Sequence, residues 1–474
     1  MARTEVEALE PKAEKEALAE GDAALLEPPH HLTLMLWLLL TMFILGTLCL
    51  MAFNLVFQTI GADLGAPEQA SLITAIPGIV LGIVCFIYGS LGDFVSLRTM
   101  CAVGVVLLLG GSLLGFFAGP ASLWLVILAR SIQTAGAQVA GSVYLVLTAR
   151  YLHGARKVTY FGIFTAGYQL SSAIGVVAGG YLTQLNWSLL FLIPVISVLC
   201  VPTLLANLPR AATGHVRVDV AGFIIFGVAT GLLTLFFTYY AVWMLVAALV
   251  VYVLFAVYIH KAKAPFITPA FFHNTRWLAS ISLFLIMYFV NYAIAPTYNA
   301  LGTQVYGLST GSVSLMLVAG YLVGCCVAVL SGRVDARLGR RATIILACLL
   351  VAAGFFAAAY MVDAGVVALA VTACLVYGGM GLIYSPVVDT VVSTVAPGEA
   401  GRAIGMNDLV LNVSGSIGIA IFAPLMAAAG ADEVNYLGIT GAASSFSTLF
   451  SIYGIIALAT LVVYLLIKNY VAAQ

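Results

Sequence analysis

An all-α membrane protein crossing the bilayer fourteen times is the fold class this sequence predicts, and three observations predict it. Of its 474 residues, 63% are hydrophobic and only 8% are charged, against roughly 25% charged in a soluble domain. The apolar residues fall in long uninterrupted runs. The basic residues gather in every second connection between those runs. A chain this long with so few charges cannot cover a water-facing surface, so most of its exterior has to face lipid. The net charge is zero, which leaves no basic field for nucleic acid.

A bilayer crossing takes about 20 apolar residues, and inside hydrocarbon the backbone has to satisfy itself as a helix. The qualifying runs are 32–57, 69–91, 99–117, 122–148, 159–183, 188–205, 221–238 and 242–259, then 278–294, 312–330, 343–361, 366–388, 403–429 and 446–467. Basic residues stay on the cytoplasmic side. With the amino terminus inside, the inner connections hold Arg98, then Arg150, Arg156 and Lys157, then Arg210 and Arg217. Lys261, Lys263 and Arg276 follow, then Arg333, Arg337, Arg340 and Arg341, then Arg402. Arg3, Lys12, Lys15 and Lys468 lie in the tails, so of the 19 basic residues only Arg130 falls within a run. One missed span would invert this pattern. It places both termini in the cytoplasm of a multi-pass protein of the cell membrane. Trp37, Trp124, Trp187, Trp243 and Trp277 sit near run ends, where indole prefers the headgroup region.

The flanking segments read differently. Residues 1–31 mix acids with Arg3, Lys12 and Lys15 and lack a signal-peptide pattern, so they are expected to form a solvated cytoplasmic tail. Segment 263–277 carries Phe266, Ile267, Phe271, Phe272 and Trp277 beside His273 and Arg276. It is too short to span and is expected to lie as an amphipathic linker in the membrane interface. The eight cysteines lie in apolar runs without metal-site or disulfide spacing, so they are expected to pack, and no metal or cofactor is expected.

Two stretches repeat each other. Gly89-Ser-Leu-Gly-Asp93-Phe-Val-Ser-Leu-Arg98 follows the second run, and Gly332-Arg-Val-Asp335-Ala-Arg337-Leu-Gly339-Arg340-Arg341 follows the tenth. Both read as tight cytoplasmic turns with an acid and then basic residues. The repeat implies two six-helix bundles, 32–208 and 278–474, with two inserted helices at 219–262 between them. Repeated halves around a midplane site are a common transporter plan.

Gly89-x-Leu-x-Asp93 followed by Arg98 resembles the signature loop of the major facilitator superfamily, and Gly332–Arg341 resembles its degenerate second copy. Arg130-x-x-Gln133-x-x-Gly136 is similar to the family's fourth-helix motif. Gly175-Val-Val-Ala-Gly179-Gly180 is similar to the fifth-helix motif of drug/proton antiporters. With fourteen runs, the resemblance is to the fourteen-helix drug/proton antiporter branch of tetracycline and multidrug exporters. It covers nearly all of 32–470. The chain departs from the pattern in having Phe94, Ser96, Ala336 and Val176 where that branch has Arg, Gly, Asp and Pro, and in having no acid in the first run. The resemblance implies alternating access, a role for Arg130 in proton coupling, and a gate in which Asp93, steadied by Arg98, caps the helix beginning near Gly401 and Arg402.

An ionised group inside lipid costs roughly 3 kcal/mol or more and usually serves function. Arg130 and Asp408 lie within the runs, and Asp389 lies at the inner end of the twelfth. Asp408, beside Asn407, is the better proton carrier, because a carboxyl in a membrane helix can load and release a proton. Asp389, just past Pro386, reads as a solvated or capping acid. Gly78-x-x-x-Gly82 and Gly175-x-x-x-Gly179 permit close helix approach. By family analogy a substrate cavity would draw on Asn54, Gln133, Tyr168, Gln169, Tyr288, Asn291, Tyr292, Tyr377 and Asn412. Aromatic walls with few charges suit a bulky amphipathic compound.

Enzyme motifs do not hold up. Gly307-Leu-Ser309-Thr-Gly311 matches a serine-hydrolase pattern by letters but lacks strand context, and all six histidines fall on the opposite side. There is no phosphate loop for ATP. The leading expectation is a proton-driven exporter of a hydrophobic or amphipathic small molecule, working as a monomer with protons and the lipid bilayer as its other partners. Uptake by symport or uniport on the same fold, and a non-transporting receptor or scaffold, remain as alternatives.

Overall fold

A computed structural model describes residues 31–91, 96–152, 154–208, 219–262, 265–395, 400–427 and 434–471. Helices α1 (Leu32–Asp63), α2 (Leu72–Leu91), α3 (Leu97–Ala118), α4 (Leu123–Tyr151) and α5 (Gly154–Asn186) come first. A 3-10 segment, Trp187–Cys200, then runs into α6 (Val201–Asn207). Next are α7 (Val220–Tyr239), α8 (Val242–Lys261), the short α9 (Pro269–His273), α10 (Thr275–Met287) and α11 (Ile294–Gln304). The chain closes with α12 (Thr310–Leu338), α13 (Arg340–Tyr360), α14 (Val366–Val392), α15 (Ala400–Ala427) and α16 (Ala442–Val471).

Among the described residues, thirteen stretches are long and apolar enough to cross a membrane. One of them, Tyr160–Asn207, has 48 residues, more than twice the about 20 that a crossing requires. It is interrupted at Asn186, whose backbone is extended (φ −165°, ψ 117°) and whose side-chain oxygen accepts the Ser188 N–H at 2.9 Å. The bend therefore carries its own cap.

Helices α1 to α6 pack mainly on one another, as do α10 to α16, and the two sets meet where α2 lies along α15 and α5 along α12. Both seams are built on small residues. A side chain at Gly82 would strike the Leu409 carbonyl and Asn412, and one at Gly180 would strike Ser314 and the Thr310 carbonyl. Helices α7 and α8 pair with each other, and α7 also touches α2 and α15. Val246, Leu249, Val250, Val253 and Leu254 of α8 are exposed. This is the expected state of a peripheral helix whose neighbour is lipid.

Several sequence expectations change. The second repeat is hardly a loop, because α12 continues to Leu338 and the reversal is carried by Gly339 at φ 80°, before α13 starts at Arg340. The linker turns part of its apolar side into the protein. Phe266 and Ile267 are buried, with the Phe266 ring stacked on Phe223 at 4.1 Å and near Phe86, Phe226 and Phe255. Aromatic rings gain more from one another than from the headgroup region here, and the Phe266 N–H finds a carboxylate, Asp219 Oδ2, at 3.0 Å. Trp187 and Trp277 are buried in the protein, whereas Trp37, Trp124 and Trp243 are exposed. The ninth run is longer than 278–294 and is broken by a 3-10 turn at Tyr288–Val290. Asp93 lies outside the described residues, as do residues 1–30.

Candidate functional site

Two charges within the membrane-spanning helices, one in each set, define the candidate site. Arg130 of α4 is 1% exposed. Its Nη1 donates to Gln133 Oε1 at 2.9 Å and lies 3.8 Å from Cys49 Sγ, and its guanidinium sits 4.2 Å from the centre of the Phe53 ring. Nε and Nη2 have no hydrogen-bond partner among the described residues. An aromatic face and neutral acceptors thus stand where a carboxylate would be expected.

The sequence explains how those neutral groups are fixed. Gln133 Nε2 donates to Ser112 Oγ at 2.9 Å and to the Phe191 carbonyl at 3.1 Å, and Cys49 Sγ donates to the Leu190 carbonyl at 3.3 Å. Phe191 and Leu190 lie three and four residues before Pro194, inside the 3-10 segment. Proline has no N–H, so the Phe191 carbonyl that it would have engaged in the 3-10 turn is left free for Gln133, while Cys49 adds a bond to the neighbouring Leu190 carbonyl. Gly136, the last residue of the fourth-helix motif, lets α4 approach Gly104 and Leu108 of α3.

The second charge is Asp408 of α15, half-buried. Tyr384 of α14 donates its hydroxyl to Asp408 Oδ1 at 3.3 Å. One turn on, the Asn412 side-chain amide donates to the Asp408 backbone carbonyl at 2.7 Å, and Tyr292 donates its hydroxyl to Asn412 Oδ1. Tyr288 is in ring contact with Tyr384, with centroids 6.5 Å apart. Tyr168 of α5, Tyr288 and Cys85 of α2 all lie within electrostatic range of Asp408. Tyr292 is within electrostatic range of Arg130 and is tied to the Asp408 turn through Asn412.

The helix break at Tyr288–Val290 belongs to this region. Irregular backbone at membrane depth is tolerated where it lines a cavity or is buried in protein. Here Ser414 donates its hydroxyl to the Leu285 carbonyl just before the break, at 2.5 Å. Gly415 of α15 gives room for the Tyr292 ring, and Gly418 for the Phe289 carbonyl.

Of the expected substrate residues, the structure thus gathers Tyr168, Tyr288, Tyr292 and Asn412 around Asp408. Asn291 occupies the break itself, half-buried. Tyr377 pairs with Tyr321, its hydroxyl donating at 3.1 Å, and Gln169 lies against Gly324 of α12. Asn54 is buried, with no partner for Oδ1 among the described residues. Gln133 is consumed in holding Arg130 and is not disposed as a substrate contact. Gly175 and Gly179 seat α5 on Leu48 and Ala52 of α1.

The gating candidates are placed in part. Gly89 falls within the last turn of α2, and Arg98 is half-buried at the start of α3. Asp335 and Arg337 lie in the last turns of α12, with Asp335 Oδ1 unpartnered among the described residues. Asp389 forms an exposed ion pair with Arg340, in keeping with a solvated acid. Sequence reasoning missed Cys49, Ser112, Cys85, Tyr321 and Tyr384. Only Pro194, inside an apolar run, signalled that an acceptor would be free near α1 and α4.

A bundle of apolar helices with a charge in each half and a broken helix beside one of them is the architecture of a secondary transporter. The family model of the Major Facilitator Superfamily matches residues 38–419, and the chain belongs to that superfamily. Secondary active transport of small organic molecules, and not enzymatic catalysis, is the class of activity this membership assigns. The multidrug transporter protein MdtP of Bacillus subtilis is 23% identical over 77% of this chain and 70% of its own length. The puromycin resistance protein pur8 of Streptomyces alboniger is 26% identical over 78% of this chain and 76% of its own. Among solved structures, a peptide transporter POT in complex with sulfate superposes with a TM-score of 0.67 at 13% identity, covering 95% of this chain and 98% of its own. A D-xylose-proton symporter does so with a TM-score of 0.62 at 14% identity, covering 90% and 97%.

Proposed function

We propose that this chain is a proton-coupled transporter of a bulky, largely apolar organic molecule, in which Asp408 carries the proton and Arg130 supplies a fixed positive charge. It crosses the membrane fourteen times, counting Tyr160–Asn207 as two passes. Two six-helix halves rock about the seams α2–α15 and α5–α12, α7 and α8 are an insertion, and both termini are cytoplasmic. The observation that carries this reading is the surroundings of Asp408: a carboxylate met by the Tyr384 hydroxyl, among tyrosines drawn from α5, the 3-10 break after α10, and α14. One proton discharges it, and the substrate is held by ring faces and hydroxyls that do not depend on charge. Asp93 and Arg98 at one turn, and Asp335 and Arg337 at the other, form the gate on the basic side.

Two directions of movement have support. Uptake by proton symport is favoured by the solved proteins of the same fold, a peptide transporter, a nucleoside transporter and a D-xylose-proton symporter among them. It also fits Val176 in place of the antiporter proline and the lack of an acid in the first run. Export is favoured by the names of the two sequence relatives, a multidrug transporter and a puromycin resistance protein. The pure protein in sealed vesicles, with a pH gradient of either sign and a panel of aromatic and cationic compounds, separates them. Accumulation on the alkaline side means symport, and accumulation on the acidic side means antiport. Flux that ignores the gradient would overturn the coupling altogether.

A further inference from the structure

We propose that the chain carries a binding site for an anionic phospholipid, in the groove between the last turn of α8 and the short helix α9. The groove is floored by Ile259 and Phe272 and rimmed by His260 and His273. Helix α8 turns a row of exposed aliphatic side chains outward, so the groove continues a lipid-facing surface. Its end at Lys261 is where that surface meets water. It is therefore at headgroup depth, with an apolar floor leading towards the bilayer interior.

The rim has the chemistry of a headgroup receptor. Between residues 256 and 277 the sequence has Lys261, Lys263, Arg276 and two histidines but no acid. Lys261 and Arg276 are exposed. Each histidine is turned the same way by its own helix: His260 Nδ1 bonds the Ala256 carbonyl at 2.7 Å and His273 Nδ1 bonds the Pro269 carbonyl at 2.9 Å. A carbonyl only accepts, so Nδ1 holds the hydrogen in both rings, which leaves both Nε2 atoms to accept. Two cations for a phosphate beside two acceptors for hydroxyl hydrogens match phosphatidylglycerol. Phosphatidylcholine, with no net charge and no headgroup donor, lacks both features. The nearby acid, Asp219, is buried and turned towards the Gly222 and Phe266 N–H groups and the Tyr258 hydroxyl. Burial of Phe266 and Ile267 leaves Phe272, exposed, as the apolar contact for an acyl chain.

Native mass spectrometry of the full-length protein, titrated in detergent with dioleoyl phosphatidylglycerol or dioleoyl phosphatidylcholine, tests this independently of transport. The first bound phosphatidylglycerol is expected to exceed bound phosphatidylcholine by about tenfold at equal concentration, given two cations at the headgroup. The triple variant His260→Ala, Lys261→Gln, His273→Ala removes one of the two cations and both acceptors, and should cut the preference to about threefold or less. These residues are exposed, so the variant should fold, and its melting temperature checks that. Arg333→Gln with Arg341→Gln removes two cations elsewhere on the basic side and should leave the preference intact. A wild-type ratio near one, a triple variant that keeps the full preference, or an equal loss in the Arg333 and Arg341 variant would overturn the site. A dimer that excludes the lipid would also overturn it, by making the groove an interface between copies.

Discussion

The two charges of the candidate site are held in opposite manners. Arg130 is wrapped by a phenylalanine face, an amide oxygen and a thiol, and the amide and the thiol are each held by further bonds to backbone carbonyls or to Ser112. Asp408 is only half-buried and is met by a single tyrosine hydroxyl at 3.3 Å. A guanidinium keeps its charge under all physiological conditions, so a rigid neutral shell suits it. A carboxylate is discharged by one proton, and a loose hydroxyl contact can be exchanged when that happens. The contrast teaches that the moving part of the cycle is to be sought in the α14–α15 region, and the fixed reference in α1, α4 and the Pro194 segment.

The sharpest way to break this contrast is to compare Arg130→Lys with Asp408→Asn in sealed vesicles. Both are expected to abolish accumulation against a gradient. Asp408→Asn should still exchange labelled for unlabelled substrate, because only the proton step is lost. Arg130→Lys should lose exchange as well, since an ammonium cannot both reach Gln133 and lie flat on Phe53. Equal exchange in the two variants would remove the distinction between them.

A smaller effect is expected from Pro194→Ala. The restored N–H competes for the Leu190 or Phe191 carbonyl, and losing one such bond costs about 1 kcal/mol, which is a roughly fivefold loss of uphill rate. An unchanged rate would show that the cluster does not depend on those carbonyls. Tyr384→Phe removes the hydroxyl contact to Asp408 and should slow coupled transport about threefold while leaving the melting temperature in place. The smallest effect belongs to Arg340→Ala. Its ion pair with Asp389 is exposed, and such pairs contribute about 0–1 kcal/mol. A large loss of stability there would mean that the basic-side turn is part of the gate even at its solvent-facing edge.

Much of the architecture was legible because the solvent for most of this chain is hydrocarbon. Apolar length and the side on which each arginine falls suffice to locate helices and connections, and the composition excludes a soluble enzyme without reference to contacts. Arg130 and Asp408 stood out because a charge in such a run is costly. The linker could not be read in the same way. Phe266 next to Ile267 looks like an interfacial anchor until Asp219, 47 residues earlier, is seen to accept its N–H.

What the sequence determined by itself is the membrane class, most of the apolar stretches and the two charges within them, since each follows from the local cost of putting a polar group into lipid. Only the tertiary structure decided which partners those charges have. Cys49, Gln133 and the carbonyls before Pro194 come from separate helices, as do Tyr384 and Asp408, and their meeting depends on how small residues let helices approach. Packing of that kind is a property of pairs of surfaces and leaves no period or motif in one strand of residues.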